Sequence, residues 1–339
     1  MESYKLFATA IDPVYIGTGG YTIGRVDNTI VRDQITRLPK IPGTSLAGTW
    51  RYYTALKLHA YLRKDLLNRS AVPDWVKNWE GNKFASVECA GQDVGREAEA
   101  EDDYFPSGHC TKCLVCQSFG FSKKRKSQQG RAYFSDLHIL LFPVSTVFGV
   151  KWITSPKILA EAFLEIDFSH FQIDAEQALG LVREQEEASF INFGWIRLRK
   201  SEMSSDFLKS VLEKRLTKLH IKPQDVYILS DTIISQIVNA NLEVRTSVSI
   251  DPLTGAAKSG ALFTTEAVPR ATVFLGEIRI HEGFATKDSE TDKNLESSLI
   301  LSALKESAAF YESLGIGGMV TRGFGRIRIV WDEGENANA

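Results

Sequence analysis

The stretch "GIGGMVTRGFGRIRIVW", Gly315 to Trp331, puts five glycines into eleven residues and then runs straight into an alternating strand pattern. Glycine carries no Cβ, so such a backbone can lie against another surface and point its N–H groups at an anion. Arg322, Arg326 and Arg328 add positive charge, no carboxylate intervenes between Gly315 and Val330, and Phe324 offers a flat ring for a base. Gly317, Gly318, Arg322, Phe324 and Arg326 are therefore candidate contacts to a polyanion. The same glycines would also suit a turn that packs a helix closely on a sheet.

The surroundings of this loop set the fold class. Before it, "LESSLILSALKESAAFYESLG" is an amphipathic helix ended by Gly315, and after it "GRIRIVW" is a closing strand. At the other end of the chain, "YKLFATAIDPVYIG" alternates as a first strand, and "PGTSLAGTWRYYTALKLHAYLRKDLL" changes to helical spacing. Thr44 or Ser45 can cap that helix, and Leu46, Trp50, Tyr53, Ala55, Leu56 and Ala60 form its apolar face. "RAYFSDLHILLFPV" and "GVKWIT" are strand-like, and two further strand runs around a polar middle predict a long hairpin over 244–280. Strand, helix, strands, helix, strand is the order of a ferredoxin-like (RRM-like) βαββαβ core, so the fold class is α+β. Residues 1–331 are expected to form a single domain with inserts, followed by a disordered acidic tail at 332–339.

Composition excludes several classes. The chain has 339 residues and no apolar run long enough to span a bilayer. Its first residues lack the basic and apolar regions of a signal peptide, which predicts a cytoplasmic protein with no membrane partner. The formal net charge is −2, yet charge is clustered. "DVGREAEAEDD" (93–103) holds six acidic residues, whereas "QSFGFSKKRKSQQGR" (117–131) holds five basic ones, including Lys123, Lys124 and Arg125. Local basic runs on a near-neutral chain suit a polyanion held in one groove, or are simply solvated loops.

All four cysteines fall within 28 residues, as Cys89, Cys110, Cys113 and Cys116, with His109 beside the second. In a reducing compartment such spacing points to metal rather than to disulfides. Thiolates spaced this way can close on one tetrahedral structural Zn²⁺ inside an insertion at 75–121, with Cys89 or His109 as the fourth ligand. The chain has no P-loop, no GxSxG elbow and no HExxH, and its six histidines are scattered.

Four motifs in order, "VDNTIVRD", "LPKIPGTSLAGTWR", "GALFTTEAVPRATVF" and "GIGGMVTRGFGRI", resemble the RAMP superfamily of CRISPR-associated proteins. More narrowly they are similar to the repeated, Cas-seven-like backbone subunit of type III effector complexes of the Csm and Cmr kinds. "LLFPVSTVFGVKWITSP" is closer to the Cmr kind, "VDNTIVRDQITRLPKIPG" to the Csm kind, and the cysteine cluster resembles zinc-bearing backbone domains of the III-D and III-E branches. The resemblance implies a filament-forming subunit that grips a guide RNA beside further copies of itself and other effector subunits. The core would be a palm and the 244–280 hairpin a thumb that wedges the guide–target duplex.

It also implies cleavage of complementary target RNA, dependent on Mg²⁺ or Mn²⁺, by attack of the neighbouring 2′-OH. The catalytic residue is then Asp27 rather than Asp33, as cation ligand or as base. Ala47 stands where the family commonly has Lys, which shifts guide contacts to Thr44, Ser45, Arg51 or the Lys123–Lys126 run. Asn28-Thr29 stands where Asn/Ser-Pro is common and predicts a less rigid loop. A non-catalytic scaffold and a repeat-RNA processing nuclease are the alternatives.

Overall fold

The computed structural model describes residues 1–19, 26–65, 72–91, 109–123, 126–163, 168, 172–180, 189–203, 206–282 and 295–332. It is a mixed α/β protein built on one large sheet. Read across, the strands are Ile327–Trp331, Glu2–Ala10, Val273–Ile280, Leu137–Thr146, Gly149–Thr154, Val226–Leu229, Gln177–Gly180, Ile196–Glu202 and Phe190–Phe193. The first five are paired antiparallel throughout.

Both faces of the sheet are covered, which explains why the strand Glu2–Ala10 is apolar on consecutive residues rather than on alternate ones. Leu6, Phe7 and Ala8 are all fully buried. Leu6 and Ala8 join a core containing Trp50 and Tyr311, whereas Phe7 joins a second core with Leu159, Leu212 and Leu216. The first layer is the long helix Gly43–Asp65 against Ser297–Ser307. The Trp50 indole N–H donates to the Leu304 carbonyl and the Ser307 hydroxyl, both at 3.1 Å, and the Tyr311 hydroxyl donates to the Leu46 carbonyl at 2.9 Å. These bonds let large polar-tipped aromatics enter the core without stranding a donor.

The helix start differs from expectation. The helix begins at Gly43, so Thr44 and Ser45 lie inside its first turn and neither is the cap. The capping oxygen comes from far along the chain, where Asp136 Oδ1 accepts the Gly43 N–H at 2.7 Å and its other oxygen pairs with Lys40 at 2.7 Å. A glycine is required there, because a Cβ would sit 2.5 Å from the Phe134 carbonyl. Thr54 and Leu58 are buried on the apolar face, while Leu56 and Ala60 are exposed.

The expected hairpin is shorter than 244–280. Glu243–Ile250 pairs with Ala257–Ala267, and Val273–Ile280 instead lies inside the large sheet between the first strand and Leu137–Thr146. Burial separates them: Val273, Phe274, Ile278 and Ile280 are fully buried, whereas Glu243–Ile250 is half-buried to exposed along its length. The acidic run 93–103 and residues 333–339 of the tail lie outside the described residues.

Candidate functional site

Asp27 is exposed on the loop after the first strand, and the hairpin base holds it in place. The Thr264 N–H and hydroxyl both donate to Asp27 Oδ2, at 2.7 and 2.9 Å, and the Asp27 N–H donates to the Thr264 hydroxyl at 3.1 Å. Asn28 is fastened on both sides, its N–H to the Thr264 carbonyl and its carbonyl to the Glu266 N–H, each at 3.0 Å. The loop therefore gains from strand-like pairing the rigidity that a proline would otherwise supply. Arg32 continues the attachment with an ion pair to Glu266 at 2.7 Å and a bond to Asn239 at 2.8 Å. The Thr264 N–H, and then its hydroxyl, holds the Asp27 carboxyl below the ordinary Asp range, so it is ionised at neutral pH.

Asp33, the other carboxylate of the motif, is a turn residue. Its Oδ1 accepts the N–H groups of Ile35 and Thr36, both at 2.9 Å, and its Oδ2 lies 3.5 Å from Lys40. The Thr36 N–H first, with Ile35 and Lys40, lowers its pKa to about 2. That is below the ordinary value of about 3.9, so the turn contributes stability above about pH 4 and loses it as pH falls through about 2. Asp33→Ala is expected to cost about 1 kcal/mol of stability at neutral pH, read as a lower urea midpoint. The gap from wild type should narrow as both are titrated towards pH 2.

The glycine loop packs inward. The Gly318 N–H donates to the Tyr15 carbonyl at 3.0 Å, and a Cβ on Gly317 would lie 2.2 Å from that same carbonyl oxygen. The packing reading therefore holds for Gly317 and Gly318, whose close approach is to the chain itself. Phe324 offers no stacking face, being 4% exposed with the Arg245 guanidinium 4.6 Å above its ring. Arg326 is engaged by Asp12 in a two-pronged pair at 2.5 and 3.0 Å, and Arg328 by Glu312 at 3.2 Å. Arg322 is exposed. Gly317→Ala combines the clash with a φ of +83° and should cost about 3 kcal/mol or more. Gly323→Ala, at φ +80° with its nearest neighbour 3.7 Å away, should cost only about 1 kcal/mol, a contrast that denaturant titration can read.

The four cysteines converge. The sulfurs of Cys89, Cys110, Cys113 and Cys116 all lie within 4.8 Å of one another, and Cys110 and Cys116 are 3.9 Å apart. Four ligands at about 2.3 Å from a tetrahedral centre would stand about 3.8 Å apart, so the donor set fits one zinc-sized ion. Backbone N–H groups point at the sulfurs, from Cys110 to Cys89 at 3.4 Å and from Cys113 to Cys110 at 3.2 Å. Hydrogen bonding from Cys110 first lowers the Cys89 thiol and from Cys113 first lowers Cys110 to about 7, whereas hydrogen bonding with Cys110 first pushes Cys113 and Cys116 up, so the four thiols share their protons unequally.

His109 is outside this sulfur group; its Nδ1 lies 2.9 Å from an Arg51 guanidinium nitrogen. Arg51 also donates to the Cys89 carbonyl at 2.9 Å, so its charge is used to fasten the cluster to the long helix. Thr44 is exposed and Ser45 half-buried on the first turn of that helix. Lys123 ends the short strand Gly120–Lys123, which pairs with Lys126–Gln129, and Lys124 and Arg125 lie outside the described residues.

Thr264, Glu266, Asp12 and Asp136 carried no local signal of these roles, since each acts on a partner 93 to 314 residues away. Among the described residues, no helix is long and apolar enough to cross a membrane.

Known proteins share this architecture over its whole length. The chain is 22% identical over 356 residues to the CRISPR system Cmr endoribonuclease Cmr4 of Pyrococcus furiosus, covering 99% of this chain and 98% of that protein. Among solved structures, it resembles a chain of the type III-B Cmr-beta apo complex, with a TM-score of 0.58, 15% identity and 98% of each chain covered. Oligomeric Cmr4 from Pyrococcus furiosus aligns with a TM-score of 0.55, 17% identity and 98% coverage of each chain. The RAMP superfamily pattern runs from residue 7 to residue 328, nearly end to end, and the chain belongs to the RAMP superfamily.

Proposed function

We propose that this chain is a backbone subunit of a type III CRISPR ribonucleoprotein, binding guide RNA beside further RAMP subunits and cleaving complementary target RNA through Asp27. The observation that carries this reading is an exposed, ionised carboxylate pinned to the hairpin base, in a chain similar over its full length to a Cmr endoribonuclease. One of the related structures is a Cmr-beta complex bound to cognate target RNA, aligned with a TM-score of 0.58 at 14% identity.

The architecture is read as a ferredoxin-like βαββαβ palm. Support comes from the antiparallel order Ile327–Trp331, Glu2–Ala10, Val273–Ile280, Leu137–Thr146, with the helices Gly43–Asp65 and Ser297–Ser307 as its two crossovers. Residues 1–331 form one domain in this reading. It carries a zinc-binding insertion at 75–121 through Cys89, Cys110, Cys113 and Cys116, and a thumb made of the 243–267 hairpin. Exposed Arg322 and Thr44, with the basic sequence run Lys123–Lys126, remain the guide-contacting candidates.

In the reaction, the target 2′-oxygen attacks the adjacent phosphorus and the bond to the 5′-oxygen breaks. The products are a 2′,3′-cyclic phosphate and a 5′-hydroxyl. The 2′-OH gives up its proton to solvent, and the leaving oxygen takes one from solvent. Mg²⁺ or Mn²⁺ is commonly held by one or two carboxylates together with substrate phosphates, which a single exposed Asp suits. A bound cation would stabilise charge developing on the phosphate. The hydrogen bonds from Thr264 that lower the Asp27 pKa keep its carboxylate charged, as holding a cation requires.

The test is to assemble the complex with guide RNA and incubate it with labelled complementary RNA, with Mg²⁺ or Mn²⁺ and with EDTA. Regularly spaced cuts that need the metal are expected. A complex that holds the target without cutting it would leave a scaffold.

A further inference from the structure

Three hydrogen bonds join Asp27 to a single residue, Thr264, and two of them use the threonine hydroxyl. Both donors to the carboxylate converge on Oδ2, leaving Oδ1 as the oxygen that Thr264 does not engage. A terminal carboxylate torsion is normally broad, and two donors fixed on one oxygen remove that freedom. Asn28 and Thr265 form a parallel bridge beside these bonds, so the chain next to Asp27 is fastened along the hairpin base.

We propose that Thr264 is a positioning residue for target cleavage: it fixes the Asp27 carboxylate with Oδ1 presented to the cation on the RNA phosphate, and it binds that carboxylate to the hairpin so that the two move together. This rests on the reading of Asp27 as catalytic. Holding a reacting group in its productive orientation before substrate arrives is the kind of contribution that shows in rate rather than in binding. The Thr264 N–H is supplied by any residue, so the hydroxyl is the part that substitution can remove.

The experiment compares Thr264→Val, Thr264→Ser and Asp27→Ala with wild type in the assembled, guide-loaded complex, by single-turnover cleavage across a Mn²⁺ titration. Thr264→Val loses the charge-assisted bond to Oδ2 and the acceptor of the Asp27 N–H, and is expected to cut ~10-fold more slowly at limiting Mn²⁺. Its half-saturating Mn²⁺ concentration should rise, while guide loading, target affinity and thermal unfolding stay as in wild type. Thr264→Ser restores the hydroxyl and should cut within about 2-fold of wild type.

The proposal is overturned if Thr264→Val matches wild type at limiting Mn²⁺ while Asp27→Ala is dead. It is overturned equally if Ser and Val variants are impaired alike, which would mean that the threonine only packs. Cleavage surviving in Asp27→Ala would instead remove the catalytic reading on which the proposal rests.

Discussion

Cys113→Ser is expected to destabilise the protein by about 4 kcal/mol or more and to abolish stoichiometric zinc binding. The four sulfurs lie within 4.8 Å of one another, and among the described residues the regular structure that carries them is a short 3₁₀ turn at Val87–Ala90 and the six-residue helix Leu114–Phe119. Leu114 and Val115, which follow directly on Cys113, are fully buried in the same core as Trp50. Loss of the metal would therefore leave crowded thiols beside the main core and release Arg51 from the Cys89 carbonyl and His109. Metal analysis of the purified protein should give one zinc per chain, and a strong chelator should lower the wild-type denaturation midpoint towards that of the variant. A metal-free chain with an unchanged midpoint would show that the cysteines only pack.

Replacing Asp27 should have the largest effect on activity. Asp27→Asn keeps the shape of the side chain and removes its charge, and cleavage should fall by about 10³-fold if the carboxylate holds the cation. Guide loading should be unaffected, because the side chain is exposed and, among the described residues, fastened to the hairpin. The pH dependence follows from the direction of its pKa. A carboxylate held below the ordinary range is already ionised at about pH 5, so Asp27 should contribute no acid limb between about pH 5 and pH 8. An acid limb in that window, abolished in Asp27→Asn, would make the residue a proton acceptor instead.

How much of this was legible in the sequence depends on the range of each interaction. The first strand, the long helix and the closing strand were readable because periodicity is local. The cysteines were readable because their spacing is chemistry in itself, although only the folded chain separates Cys89 from His109 as the fourth member of the cluster. Asp27 could be singled out through its motif, but nothing near it in the chain names Thr264, 237 residues away.

The loop 315–325 was harder to read. Glycine permits a close approach without naming the partner, and here that partner is the Tyr15 backbone. Phe324 within it, and Arg326 and Arg328 just after it, also looked free until Arg245, Asp12 and Glu312 were placed beside them. The extension of the sheet through Gln177–Gly180, Ile196–Glu202 and Phe190–Phe193 is hard to read from sequence because two of its strands are only four residues long, too few to show a period. The hairpin's end at Ala267 was hidden because an interior sheet strand and a hairpin strand differ in burial, not in propensity.

The most direct measurement is single-turnover cleavage of labelled complementary RNA by the assembled complex carrying wild type, Asp27→Ala or Asp33→Ala. The account predicts regularly spaced cuts from wild type and Asp33→Ala and none from Asp27→Ala, with all three holding guide and target equally. Cuts that persist in Asp27→Ala and vanish in Asp33→Ala would contradict it.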